Sequence, residues 1–211
     1  MCGRVLVGGE RYICLKCFSD FPYTYFWDWN YNPAEVMLSE RLDVEHVVSL
    51  FVYREESHWK NVMHSFKYGG NKPMGRYLSN MLGQKMAESR LFGEIDLIVP
   101  VPLHPLKMWR RGFNQAAVIA DEISKAMGGI EVDKRVLKRR RNTSSQTIKD
   151  REERADSVSK AFCLNRDYIE GKHILLVDDV LTTGATISAC GKAILSVSDT
   201  RLSVATLAYV E

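Results

Sequence analysis

Two adjacent carboxylates, Asp178 and Asp179, end the apolar run Ile174-Leu-Leu-Val177 and lead into Val180-Leu-Thr-Thr-Gly-Ala-Thr186. Paired acids at such a place are acceptors for sugar hydroxyls. The threonines and small residues that follow offer hydroxyls and backbone N–H groups at the start of a predicted helix, and such a nest binds an anion. A diol acceptor beside a cradle for one phosphate suits a singly phosphorylated sugar. The stretch has neither the GxxxxGK of a nucleoside-triphosphate loop nor the GxGxxG of a dinucleotide site.

The elements that must position these groups follow from the pattern around them. Lys172–Val177 reads as a strand buried on both faces, which places the aspartates at its carboxyl end, where open α/β sheets bind ligands. Thr186–Leu195 reads as the next helix and Arg201–Tyr209 as a closing strand. Upstream, Val47–Tyr53 and Asp96–Pro100 read as strands and Asn114–Met127 as a helix stopped by Gly128-Gly129. Residues 58–88 read as one or two amphipathic helices broken at Gly69-Gly70 and Pro73, and Val132–Lys138 as another strand. Alternating strands and helices predict a parallel α/β sheet with crossover helices.

Two further stretches carry chemistry. Pro100-Val-Pro-Leu-His-Pro105 follows a strand, so its backbone sits at the same carboxyl edge, with His104 a candidate acid or base or a plain loop histidine. Residues 138–154 are hydrophilic and start strongly basic, Lys138-Arg-Arg-Arg141, with no apolar face. A long basic loop in a compact domain suits a lid over an anionic leaving group.

The run ILLVDDVLTTGAT resembles the phosphoribosyl-pyrophosphate (PRPP) signature of the type I phosphoribosyltransferases. The rest resembles the ComF, or competence-protein F, branch: Phe66-Lys-Tyr68, PVPLHP, Arg111-Gly-Phe-Asn-Gln115, Leu137-x-Arg139, Thr143-x-x-Gln146, Arg151 and Arg154 stand in that order. The resemblance implies that Asp178 and Asp179 hold the ribose 2- and 3-hydroxyls. Thr182, Thr183, Gly184 and Thr186 would hold the 5-phosphate, with Val180 and Ala185 completing the stretch. Val101, Pro102 and Leu103 would form the pyrophosphate loop, and Arg111 would reach the pyrophosphate from the start of the next helix. Arg139, Gln146 and Arg151 would be the contacts of a flexible catalytic loop; Arg139 and Arg151 join the two aspartates as the catalytic set. Ser157 departs from the asparagine usual there. The expected activity is Mg²⁺-dependent phosphoribosyl transfer to an unidentified acceptor. The alternative is a non-catalytic PRPP-binding protein that handles single-stranded DNA, or meets competence proteins, during DNA uptake.

Cys14-Leu-Lys-Cys17 has the spacing of a zinc knuckle, with Cys2 upstream. ComF-like proteins commonly begin with two such knuckles; here Cys2-Gly3 matches the second half of the first, and its partner would precede Met1. Cys2, Cys14 and Cys17 are candidate zinc ligands, with His46 or His58 as examples of a fourth, though nothing in the spacing selects one. Cys163 and Cys190 lie in apolar settings and read as packed thiols. Met1-Cys-Gly also resembles the start of a glutamine amidotransferase, but only about 45 residues precede the α/β pattern, too few for that domain.

The boundaries expected are 1–45, a small cysteine- and aromatic-rich segment, and 46–211, a phosphoribosyltransferase-like domain with a central parallel sheet. In the first, Phe21–Tyr31 reads as packing against its neighbour rather than stacking on bases. With 45% hydrophobic and 26% charged residues among 211, the chain reads as an ordinary globular protein, and a net charge of +3 does not by itself imply nucleic-acid binding. Its short apolar runs exclude a membrane span. Five cysteines without a secretion signal point to the reducing cytoplasm.

Overall fold

The computed structural model describes residues 2–54, 56–57, 59–68, 70–139, 162–164 and 168–211. Its centre is a four-stranded, wholly parallel sheet of β1 (Val47–Tyr53), β2 (Leu97–Pro100), β5 (His173–Leu181) and β6 (Arg201–Val210) in the order β1-β6-β5-β2. Parallel neighbours require crossovers, and helices supply them. These are α3 (Lys60–Tyr68), α4 (Lys72–Glu88), α5 (Pro105–Arg111), α6 (Gln115–Ala126) and α7 (Ala185–Ile194), with α1 (Leu15–Ser19) and α2 (Pro33–Ser39) preceding β1. A separate antiparallel pair joins β3 (Leu137–Arg139) to β4 (Phe162–Leu164).

Ile174 to Val177 are fully buried, as are Leu202 and Val204 to Ala205 on the neighbouring strand. This is the two-faced burial expected of a central parallel strand. Helices α4 and α6 cross closely enough that a Cβ on Gly83 would lie 2.7 Å from the Cβ of Ala126. The edge strand β1 is covered by the aromatic segment. Tyr23 bridges Phe51, Val52 N–H donates to Pro22 O at 2.9 Å, and Asn32 Nδ2 donates to Val47 O at 2.9 Å. Phe21, Phe26 and Trp27 are buried in the same core as the sheet, so this segment closes an otherwise open edge. Packing, not base stacking, accounts for them.

Four details differ from the sequence expectation. Strand β5 runs on through Asp178 and Asp179 to Leu181, because Asp178 pairs with Thr206 and Val180 with Ala208 on β6. Pro73 lies in the first turn of α4, where its missing N–H costs nothing, so it starts a helix rather than breaking one. Val132 forms only a single bridge to Ile98; the Asp133 carboxylate then takes the Arg135 N–H at 2.6 Å and turns the chain before β3 begins. Arg111 does not open a helix. It ends α5, whose C-cap Gly112 has φ +74°, and α6 starts anew at Gln115.

Candidate functional site

The carboxyl ends of β2 and β5 converge on a cavity of about 330 Å³. Asp178, Asp179, Val180, Thr182 and Thr186 line it from β5 and its turn, Val101, Pro102 and Leu103 from the loop after β2. Lys107 and Arg111 enter from α5, Lys67 from α3, and Arg139 from β3. A hollow of about 60 Å³ adjoins it, lined by Thr182 through Thr186 at the start of α7. That is room for a small oxyanion. Every described residue assigned a sugar- or phosphate-binding role in the sequence therefore meets in one place; Gln146 and Arg151, with Thr143, Arg154 and Ser157, lie outside the described residues.

Local structure explains the placement. Val101 N–H donates to Val177 O at 2.8 Å, which ties the proline loop to β5. Asn114 Nδ2 donates to Val101 O at 3.0 Å while its Oδ1 caps α6 by accepting from Ala116 N–H at 3.1 Å. His104 caps α5, its Nδ1 accepting from Leu106 N–H at 3.2 Å, and it does not line the cavity. Gly184 caps α7 in the left-handed region, φ +71°, and behind it Arg41 donates to Thr183 O at 3.1 Å.

Among the described residues lining the cavity, Lys67, Lys107, Arg111 and Arg139 outnumber the carboxylates Asp178 and Asp179. Asp179 lies 3.2 Å from Lys67 Nζ and 3.9 Å from Arg111. The Arg111 side chain is only 8% exposed and is held by Gln115 Oε1 at 3.0 Å and Tyr68 Oη at 3.1 Å. Its Nε has no partner among the described residues. Donation from Arg111 also holds the Tyr68 phenol below its ordinary range.

Burial, then the adjacent Asp179 charge, pushes Asp178 up to about 7, against the opposing pull of the Asp179 N–H, Lys67 and Lys107. An acid raised from 3.8 binds its proton more tightly folded than unfolded. Stability is therefore fully present below about pH 4 and is lost as pH rises through about 7. In urea unfolding across this range, the Asp178→Asn variant gains on the parent as pH rises from 4 to 7 and levels off above. A constant difference would mean that Asp178 does not titrate in that window.

Sequence reasoning left Lys67, Lys107, Tyr53 and Gln115 unassigned to the cavity. A cue existed for Lys107, four residues before Arg111 and thus on one helix face. None existed for Tyr53, since strand spacing alone does not show what the end of β1 faces.

The three thiols gather at the other end of the chain. The sulfur atoms of Cys2, Cys14 and Cys17 lie within 4.8 Å of one another, with Cys2 and Cys14 at 3.6 Å. Tetrahedral zinc with about 2.3 Å bonds sets its sulfurs about 3.8 Å apart, so the spacing fits the metal. Among the described residues no histidine or carboxylate completes the group. His46 is placed elsewhere, 3.6 Å from Glu35 and against Phe92, which corrects its candidacy; His58 lies outside the described residues. Cys190 is buried and burial raises its thiol, so it packs rather than reacts; the side chain of Cys163 is outside the description.

Comparison with known proteins bears on the part of the chain that carries the aspartate pair and the threonine turn. The phosphoribosyl transferase domain family matches residues 83–211. DNA utilization protein YhgH of Escherichia coli K12 is 29% identical over 137 residues, 64% of this chain and 60% of that protein. Competence protein F of Haemophilus influenzae is 28% identical over 132 residues, 60% of this chain and 57% of that protein. Competence protein ComFC of Streptococcus pneumoniae R6 is 27% identical, covering 75% of this chain and 66% of that one. The matched part thus spans about 60% of the length of the first of these relatives. A purine phosphoribosyltransferase from Pyrococcus horikoshii superposes with a TM-score of 0.39 at 18% identity over 63% of this chain and 72% of that one. The chain belongs to the phosphoribosyl transferase domain family and is similar to its DNA utilization and competence proteins.

Proposed function

We propose that the cavity binds PRPP with Mg²⁺ and that the protein transfers the phosphoribosyl group to a nucleophilic acceptor. The observation that carries this reading is the meeting of the Asp178–Asp179 pair, the threonine nest and four cations around one cavity. The aspartates accept from the ribose hydroxyls and fix the ring. The nest receives the 5-phosphate at the α7 N-terminus. The loop Val101–Leu103, Arg111 and Arg139 face the pyrophosphate. As its bond to C1 breaks, the electron pair leaves on oxygen, and these donors stabilise the growing charge while the acceptor's lone pair closes on C1.

Mg²⁺ favours oxygen ligands and commonly keeps water and substrate phosphates as partners. The only described carboxylates lining the cavity are Asp178 and Asp179, which the diol takes, so the donor set fits a metal delivered on the ligand. It would supply charge neutralisation at the pyrophosphate. Calorimetric titration with PRPP and Mg²⁺ tests binding, and pyrophosphate release across a panel of acceptors tests transfer. No heat at millimolar PRPP removes the reading.

A second reading, a PRPP-binding protein of the cytoplasm that handles single-stranded DNA without turnover, is favoured by the names of the relatives, DNA utilization and competence proteins. Saturable, salt-dependent binding of a labelled oligonucleotide with no pyrophosphate release would select it.

For the thiol cluster the proposal is one Zn²⁺ held by Cys2, Cys14 and Cys17. Purified protein should carry about one equivalent of zinc by atomic absorption. Cys14→Ser should lose most of it and lower the melting temperature, because Cys14 also caps α1 through Cys17 N–H. Equal zinc in parent and variant would sink the assignment.

A further inference from the structure

The triplet Phe66-Lys-Tyr68 lies before the matched family region, on the last turns of α3. Successive helix residues point about 100° apart, and here each finds a different task. Phe66 is 1% exposed, its ring pressed so close to Gly75 that a Cβ there would be 2.2 Å away. Tyr68 stacks on and accepts from Arg111. Lys67 enters the cavity, its backbone carbonyl accepting from Gln115 Nε2 at 3.5 Å and its ammonium on Asp179 at 3.2 Å.

Four described cations, Lys67, Lys107, Arg111 and Arg139, face two carboxylates there. Arg111 is fixed by Gln115 and Tyr68; Lys67, with Asp179 as its one ion pair among the described residues and 22% of its side chain exposed, sits on a stem that can turn.

We propose that Lys67 binds the pyrophosphate end of PRPP, held ready by Asp179 until the ribose diol takes that carboxylate. In the ligand-free site the ammonium neutralises Asp179. Once the ribose hydroxyls donate to Asp179, the ammonium turns to the pyrophosphate oxygens. This rests on the PRPP reading, and two ligands separate their failures. Ribose 5-phosphate presents diol and phosphate but no pyrophosphate. PRPP presents all three.

Lys67→Met and Lys67→Arg are titrated with each ligand in the presence of Mg²⁺, with thermal melting to check folding. Lys67→Met should weaken PRPP by about 10- to 100-fold, the range for one charge-assisted hydrogen bond. It should leave ribose 5-phosphate unchanged or slightly tighter, since Asp179 is freed. Lys67→Arg should restore most of the PRPP affinity. Equal loss for both ligands would show a merely structural lysine and overturn the proposal, as would unchanged PRPP affinity. Parent protein that binds neither ligand overturns the PRPP reading itself, and this inference with it.

Discussion

Replacing either aspartate of the pair by asparagine is expected to weaken PRPP binding by roughly 10- to 100-fold, and the two substitutions should differ sharply in stability. At pH 8, above the value of about 7 to which Asp178 is pushed, the loss follows from turning an ionised acceptor into a neutral one at a hydroxyl donor, about 1.5–3 kcal/mol per bond. Stability separates the two because their surroundings do. Asp178 is pushed up to about 7 by burial and by its neighbour, so its charge is a burden on the empty fold and Asp178→Asn relieves it. Asp179 neutralises Lys67 at 3.2 Å and lies 3.9 Å from the nearly buried Arg111. Asp179→Asn leaves both cations without that counter-charge, and stranding a buried charge destabilises. Asp178→Asn should therefore melt no lower than the parent and Asp179→Asn should melt lower, measured at pH 8 where the Asp178 effect is fullest. The double variant should lose more affinity than either single variant but less than the additive product of roughly 100- to 10,000-fold, because the adjacent groups share one ligand. Undiminished binding by the double variant would remove the diol site.

What could be read from the sequence was what lies close along the chain. The apolar run, acid pair, threonine turn and helix start fall within Ile174–Ile187, so their chemistry and their element are specified together. Lys67 is different. It reaches Asp179 because α3 is docked by Phe66 on Gly75 of α4 and by Gln115 of α6 on the Lys67 carbonyl, contacts that leave no trace in the residues beside Lys67. Helix α5 was missed for another reason. None of its apolar residues is buried, so no apolar stripe marks it; Pro105 in its first turn and the His104 cap begin it, and Gly112 ends it. Strand β5 outran its apolar segment because β6 continues beside it, and a pairing partner can carry a strand past the point where burial does. The fourth metal ligand stayed open because thiol spacing fixes a knuckle, not what approaches it from elsewhere.

Gly184→Ala should remove both PRPP and ribose 5-phosphate binding and lower stability by about 2–4 kcal/mol, two effects with one cause. The residue caps α7 at φ +71°, where a side chain costs about 1–2 kcal/mol. Its Cβ would also lie 2.6 Å from Leu38 Cδ2. A flexible, exposed leucine would swing away at little cost. Leu38 is 0% exposed, and Arg41, just past the end of its helix α2, is tied to the same turn through Thr183 O. The conflict is therefore relieved by shifting the turn, and the turn is the phosphate nest. At roughly 2–4 °C per kcal/mol for a chain of this size, melting should fall by about 4–16 °C. Gly93→Ala is the control: its φ is −70° and a Cβ there meets nothing within 4 Å, so binding and melting should stay at the parent values. Lowered stability in Gly184→Ala with intact ribose 5-phosphate binding would place the phosphate elsewhere. Intact stability would mean that Leu38 yields despite its burial.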